Sequence, residues 1–137
     1  MRPAYDYIIA GAGAAGCVLA NRLSEDPEVS VCLIEAGGSD RHPYITMPRG
    51  VAKIMRMPAY VYFHLTNPEP RTAMRPDYWV RGKVLGGSTS VNGMVWVKGQ
   101  PADYEALAAR AGTQWGWASF ARAYEAIEGH ELGPAPS

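Results

Sequence analysis

Tyr7-Ile8-Ile9-Ala10 leads without a break into Gly11-Ala12-Gly13-Ala14-Ala15-Gly16, a G-x-G-x-x-G pattern placed directly after a short apolar run. The pattern makes three demands on the backbone. Gly11 permits a tight turn, Gly13 leaves bare main chain that a pyrophosphate can approach, and Gly16 lets the following helix press against the strand. That helix is predicted from about Ala14 to Glu25, with Ala15, Leu19 and Leu23 stacked at i, i+4 spacing and Pro27 just beyond its end. Val29 to Ile34 is then nearly continuous apolar sequence with several β-branched residues, as expected for a parallel strand covered on both faces. Strand, glycine turn, helix and strand together predict an α/β fold that opens on a Rossmann-like βαβ unit.

The start of such a helix offers free N–H groups and the positive end of its dipole, which suit a phosphate. Glu35 closes the second strand about 20 residues beyond the last glycine, where a carboxylate can accept both hydroxyls of an adenosine ribose. A carboxylate there would repel a 2′-phosphate and so argues against NADP. FAD and NAD both stay open at this point, and so does a tight turn that binds nothing.

Only two parallel strands are evident in 137 residues, although parallel strands belong to sheets of several strands under helices. The expectation is therefore an incomplete domain, residues 1–137 being the N-terminal part of something larger. Thirteen basic residues balance thirteen acidic ones, which gives no electrostatic case for nucleic acid. Without a run of about 18 apolar residues no membrane span is expected, and with only Arg2 before the first strand no signal peptide is read, so the default location is cytoplasmic. Cys17 and Cys32, both among apolar neighbours, are expected to be buried free thiols. His42, His64 and His130 lack metal-ligand spacing, and no metal is expected.

Between Gly37 and Trp79 prolines recur too often for long helices or central strands. A helical turn over Val51 to Arg56 and a short strand over Tyr60 to Leu65 are predicted, in a segment that could cover a ligand. Then follows Arg81-Gly82-Lys83-Val84-Leu85-Gly86-Gly87-Ser88-Thr89-Ser90-Val91-Asn92-Gly93-Met94-Val95-Trp96-Val97. Paired glycines ahead of hydroxyl residues can form a nest of N–H groups. Asn92-Gly93 can turn the chain back into the β-prone Val95-Trp96-Val97, and a plain hairpin with a glycine loop is the alternative.

These two motifs in this order resemble the glucose-methanol-choline (GMC) oxidoreductases, in particular the choline dehydrogenase-like N-terminal FAD-binding portion. The resemblance extends to Glu35-Ala36-Gly37-Gly38, the Pro-rich connection, Gly99-Gln100-Pro101-Ala102-Asp103-Tyr104 and Trp115-Gly116-Trp117. It implies an FAD-dependent enzyme that oxidises the CH–OH group of an alcohol, with hydride passing to flavin N5. By position, Gly11, Gly13, Ala14, Ala15 and Gly16 would contact the pyrophosphate, and Glu35 with Ala36 the ribose. Gly87, Ser88, Asn92, Gly93, Met94 and Val95 would run beside the ribityl chain and flavin ring. Some family members bond FAD covalently through a histidine where this chain has Val91, so non-covalent FAD is implied. Phe120-Ala121-Arg122-Ala123-Tyr124 replaces the Pro-Tyr-Phe common in the family. The family's catalytic histidine near the C-terminus has no counterpart in these residues, so no catalytic residue is assigned and the chain alone is expected to lack turnover.

Asp103 to Arg110 and Ala118 to Glu128 are predicted helices, the second with Phe120, Tyr124 and Ile127 on one face and Gly129 as its cap. Two rival functions follow from subsets of these features. A NAD-binding Rossmann dehydrogenase accounts for residues 8 to 35, and a non-catalytic module would bind a nucleotide or dock to a partner through exposed apolar surface.

Overall fold

Asp6 and Ser30 set where the first two strands begin. In the computed structural model, which describes residues 4–128, Asp6 Oδ2 accepts both the Ser30 N–H (2.8 Å) and the Ser30 hydroxyl (2.6 Å). Pairing then runs in parallel from Tyr7 beside Val31 to Ala10 beside Ile34, so β1 is Tyr7–Ala10 and β2 is Val31–Ile34. The second strand starts later than Val29 because the Val29 N–H is taken by the Asp26 carbonyl in the preceding turn. The crossover that a parallel pair requires is α1, Ala14–Leu23. It ends before Glu25, and the Ser24 and Glu25 amides close its last turn on Ala20 and Arg22.

The expectation of two buried thiols fails at Cys17. Apolar neighbours in sequence imply burial only if something packs on that face, and the flank of α1 bearing Cys17, Val18 and Leu19 is exposed. Cys32, inside the strand pair, is half-buried.

The Pro-rich segment is built from short pieces. Pro43–Thr46 forms α2, with His42 as its N-cap residue and His42 Nδ1 accepting the Tyr44 N–H (3.1 Å). Val51–Ile54 forms α3. β3 (Val61–Leu65) then pairs antiparallel with β4 (Tyr78–Gly82), Val61 facing Gly82 and Leu65 facing Tyr78. The fully buried side chains Ile54, Val61 and Val84 pack with Val91, and Tyr44, Met57 and Val80 close around them. This core lies beneath the second glycine motif, whose flanking residues Val84 and Val91 both insert into it.

Trp96 begins a second compact unit, Trp96–Ser137, after a first of Met1–Val95. The β-prone run Val95-Trp96-Val97 forms no strand, because nothing pairs with it and β propensity expresses itself only against a partner. In the second unit α4 (Pro101–Ala111) and α5 (Trp117–Ile127) pack through aromatic rings, Tyr104 and Phe120 with centroids 4.2 Å apart. Tyr104 and Tyr124 share a hydroxyl hydrogen bond of 2.7 Å, which raises the Tyr104 phenol above its ordinary range. Glu105 Oε1 caps α5 at the Trp117 N–H (3.0 Å), and Lys98 pairs with Glu128 at 2.6 Å. His130, the expected cap Gly129 and residues 133–137 lie outside the described residues. Among the described residues no helix is long and apolar enough to cross a membrane.

Candidate functional site

Ala12, fully buried, joins three parts of the first unit. Its N–H donates to Glu35 Oε2 (2.8 Å), and its carbonyl accepts from the Gly86 N–H (2.8 Å) and from Cys17 Sγ (3.2 Å). The other Glu35 oxygen, Oε1, accepts the Gly37 N–H (2.8 Å). The first glycine turn is thus held by the end of β2 on one side and by the second glycine motif on the other. Gly11 has φ +97° and donates its N–H to Ile34 at 2.7 Å, a conformation costly for a residue with a Cβ. Gly87 comes so close that a Cβ on it would stand 2.8 Å from Gly13 Cα.

Gly11, Gly13, Glu35, Ala36, Gly87 and Ser88 line one cleft of about 470 Å³. A Cβ added at Gly13 would meet nothing within 4 Å, so bare main chain faces the cleft there. Gly13 is also the N-cap of α1, and the first intrahelical bond runs from Cys17 N–H to its carbonyl (2.9 Å). The Ala14, Ala15 and Gly16 amides precede that bond and belong to the positive end of the helix. Each Glu35 oxygen takes one backbone N–H and keeps a further lone pair, enough to accept a diol. The cleft therefore offers donors to an anion and acceptors to a sugar diol.

Sequence reasoning missed two of its walls. Tyr62 on β3 and Gly82 at the end of β4 also line the cleft. Ser88 Oγ accepts the Gly82 N–H at 3.0 Å and so fastens β4 to the second motif. The β3–β4 pairing, with β4 unanticipated, is what delivers both.

The remaining expected site residues are distributed differently. Ala14 and Ala15 are exposed on the first turn of α1, and Gly16 is buried against Gly11. Asn92 and Met94 line another cavity, of about 250 Å³, together with Asp40 and Val91. Asn92 Oδ1 accepts the Met94 N–H (2.8 Å), which holds Met94 at φ +57°. Gly93 and Val95 are exposed, Val95 to 80%.

Two backbone N–H donors, Gly37 first and Ala12 second, hold the Glu35 carboxyl below its ordinary range. A depressed carboxyl stabilises the fold above its unfolded-state pKa, and that contribution is lost as pH falls through the folded-state value. The wild-type chain is therefore expected to lose stability more steeply than a Glu35→Gln chain as pH falls below the ordinary carboxylate range. Urea midpoints measured over that fall in pH check this. Asp6, lowered by its bonds to Ser30, contributes to the slope left in the variant.

A parallel βαβ unit with its glycine turn and an acidic residue ending the second strand is the opening of a Rossmann-like dinucleotide-binding fold. The GMC oxidoreductase family model matches residues 5–134, and the chain belongs to this family. It is 50% identical over 113 residues to alcohol dehydrogenase [acceptor] of Pseudomonas putida, covering 82% of this chain and 20% of that protein. With oxygen-dependent choline dehydrogenase of Photobacterium profundum it shares 43% identity over 135 residues, 96% of this chain and 24% of that one. Pyridoxine 4-oxidase from Mesorbium loti superposes with a TM-score of 0.87 at 37% identity, over 95% of this chain and 26% of that one. The chain thus spans about a fifth to a quarter of the length of the curated relatives it matches.

Proposed function

We propose that residues 1–137 are the N-terminal part of the FAD-binding domain of an enzyme that oxidises alcohol CH–OH groups. One observation carries the reading: both glycine motifs meet at a single cleft, with Gly13 and Gly87 in near contact and Glu35 lining the same cleft. When bound, FAD supplies the hydride acceptor for the alcohol. The chain's own residues bind and orient it. Gly11, Gly13 and the first-turn amides of Ala14, Ala15 and Gly16 take the pyrophosphate, and Glu35 with Ala36 takes the ribose. Gly87 and Ser88 line the same cleft, and Asn92, Gly93, Met94 and Val95, beyond it in sequence, would run beside the flavin ring. Val91, 4% exposed, offers no nucleophile, which supports non-covalent FAD.

A NAD-binding dehydrogenase piece accounts for the βαβ unit but leaves the second motif without a reason to share its cleft, and a module that only docks to a partner leaves both motifs without one. Alcohols are the proposed substrate class, supported by the alcohol and choline dehydrogenases among the relatives. A cytoplasmic location is part of the proposal and is checked by cell fractionation.

Replacing the matching portion of the Pseudomonas putida alcohol dehydrogenase by this chain tests the enzyme reading. The chimaera is expected to purify with flavin and to oxidise a primary alcohol with an artificial acceptor. A folded chimaera that carries no flavin would contradict the assignment.

A further inference from the structure

The cleft is floored by glycine backbone, and among its described lining residues Tyr62 alone is aromatic. Strand alternation accounts for its direction. Val61 enters the core at 2% exposure, so the next side chain emerges on the opposite face of β3. Its position is held from three sides: Tyr62 pairs with Arg81 across the ribbon, the Lys83 N–H donates to the Tyr60 carbonyl (2.7 Å), and Gly82 is tied to Ser88. The Lys83 ammonium lies over the Tyr62 ring, 5.2 Å from its centroid, restraining the ring and setting a positive charge beside the cleft. Tyr62 as a whole remains 38% exposed, with the His64 ring beside it at a centroid distance of 5.8 Å, and so keeps surface free for a flat ligand.

Glu35 and Ala36 share this cleft, and their chemistry fits the diol of a nucleoside. The base joined to that sugar must extend to a wall of the same cleft, and Tyr62 is the wall suited to stacking. We infer that Tyr62 stacks with the adenine half of the bound dinucleotide, which makes it a binding determinant outside both glycine motifs. The inference rests on the FAD reading above.

Calorimetric titration of the purified chain with FAD, ADP and FMN separates the two halves of the ligand. Tyr62→Ala is expected to weaken FAD and ADP by about tenfold or more, in line with the loss of one base–aromatic stack, and to leave FMN unchanged. Tyr62→Phe and Tyr62→Trp keep the ring and should bind as wild type. Tyr78→Ala, on the same ribbon but at a side chain 68% exposed, should change nothing. Photolabelling of the unsubstituted chain by 8-azido-ADP, which does not depend on any variant folding, should modify the peptide containing Tyr62. If wild type binds FAD and ADP while Tyr62→Ala binds both equally well, or the label falls elsewhere, the stacking inference is wrong and the FAD reading stands. If wild type binds neither, the FAD reading fails and this inference with it.

Discussion

A Gly37→Ala chain is expected to lose the alignment of its two glycine motifs, lowering stability by about 3 kcal/mol, the upper end for an overpacked interior. A Cβ on Gly37 would lie 2.1 Å from the Lys83 carbonyl carbon and oxygen and 2.2 Å from the Val84 nitrogen. All three are backbone atoms, so no side chain can rotate aside. Next to this contact, Gly38 pairs with Val84 in an isolated parallel bridge, and the Leu85 N–H donates to the Gly38 carbonyl (3.0 Å). Val84 is fully buried, so displacement of residues 83–85 also strains the core. The Gly86 bond to Ala12 lies directly downstream, and its loss would open the cleft. Urea unfolding together with FAD titration should show both losses. A variant as stable as wild type would mean that the two motifs are not joined here.

Gly16→Ala is the second large effect. Its Cβ would stand 1.9 Å from the Gly11 carbonyl oxygen and 3.1 Å from its carbon, while Ile9 Cγ2 at 3.4 Å blocks a sideways shift. Relief requires α1 to move off β1, which carries the Ala14 and Ala15 amides away from the cleft. FAD affinity is expected to fall beyond detection and stability by about 1–3 kcal/mol. Far-UV circular dichroism separates displacement from collapse, since a displaced helix keeps its signal. Unchanged affinity would remove the helix N-terminus from the proposed site.

The sequence was readable where local chemistry decides. The bounds of β1 were anticipated as Tyr7 to Ala10 because the apolar run is bracketed by Asp6 and by the Gly11 turn. Both later helices were recognised from periodicity, although their ends moved by one or two residues. Long-range pairing was much less legible. β4 begins two residues after Pro76 and carries exposed Tyr78 and Trp79 in succession in place of a clean alternation, so it is not legible in the sequence, and neither is the route by which Gly82 reaches the cleft. Tyr62 was read as part of a short strand, but its position beside Glu35 depends on the β3–β4 register and on the Ser88–Gly82 bond. Cys17 was misjudged because apolar neighbours along α1 say which residues share a helix face, not whether that face is covered. Glu35 was anticipated as a ribose ligand, and its two bonds to the backbone of Ala12 and Gly37 add a structural role that a motif cannot reveal.

The central claim is that bare backbone at Gly13 leaves room for the pyrophosphate of FAD. A Gly13→Val chain tests it directly, because φ at Gly13 is −77° and an added Cβ meets no protein atom within 4 Å. Calorimetric FAD titration of both chains, with urea unfolding beside it, is the measurement. The account predicts saturable FAD binding by wild type, an unfolding midpoint that the substitution leaves in place, and an affinity lowered at least about tenfold, the factor that 1.4 kcal/mol represents. Absence of saturable binding by wild type, or equal affinity in the two chains, would contradict it.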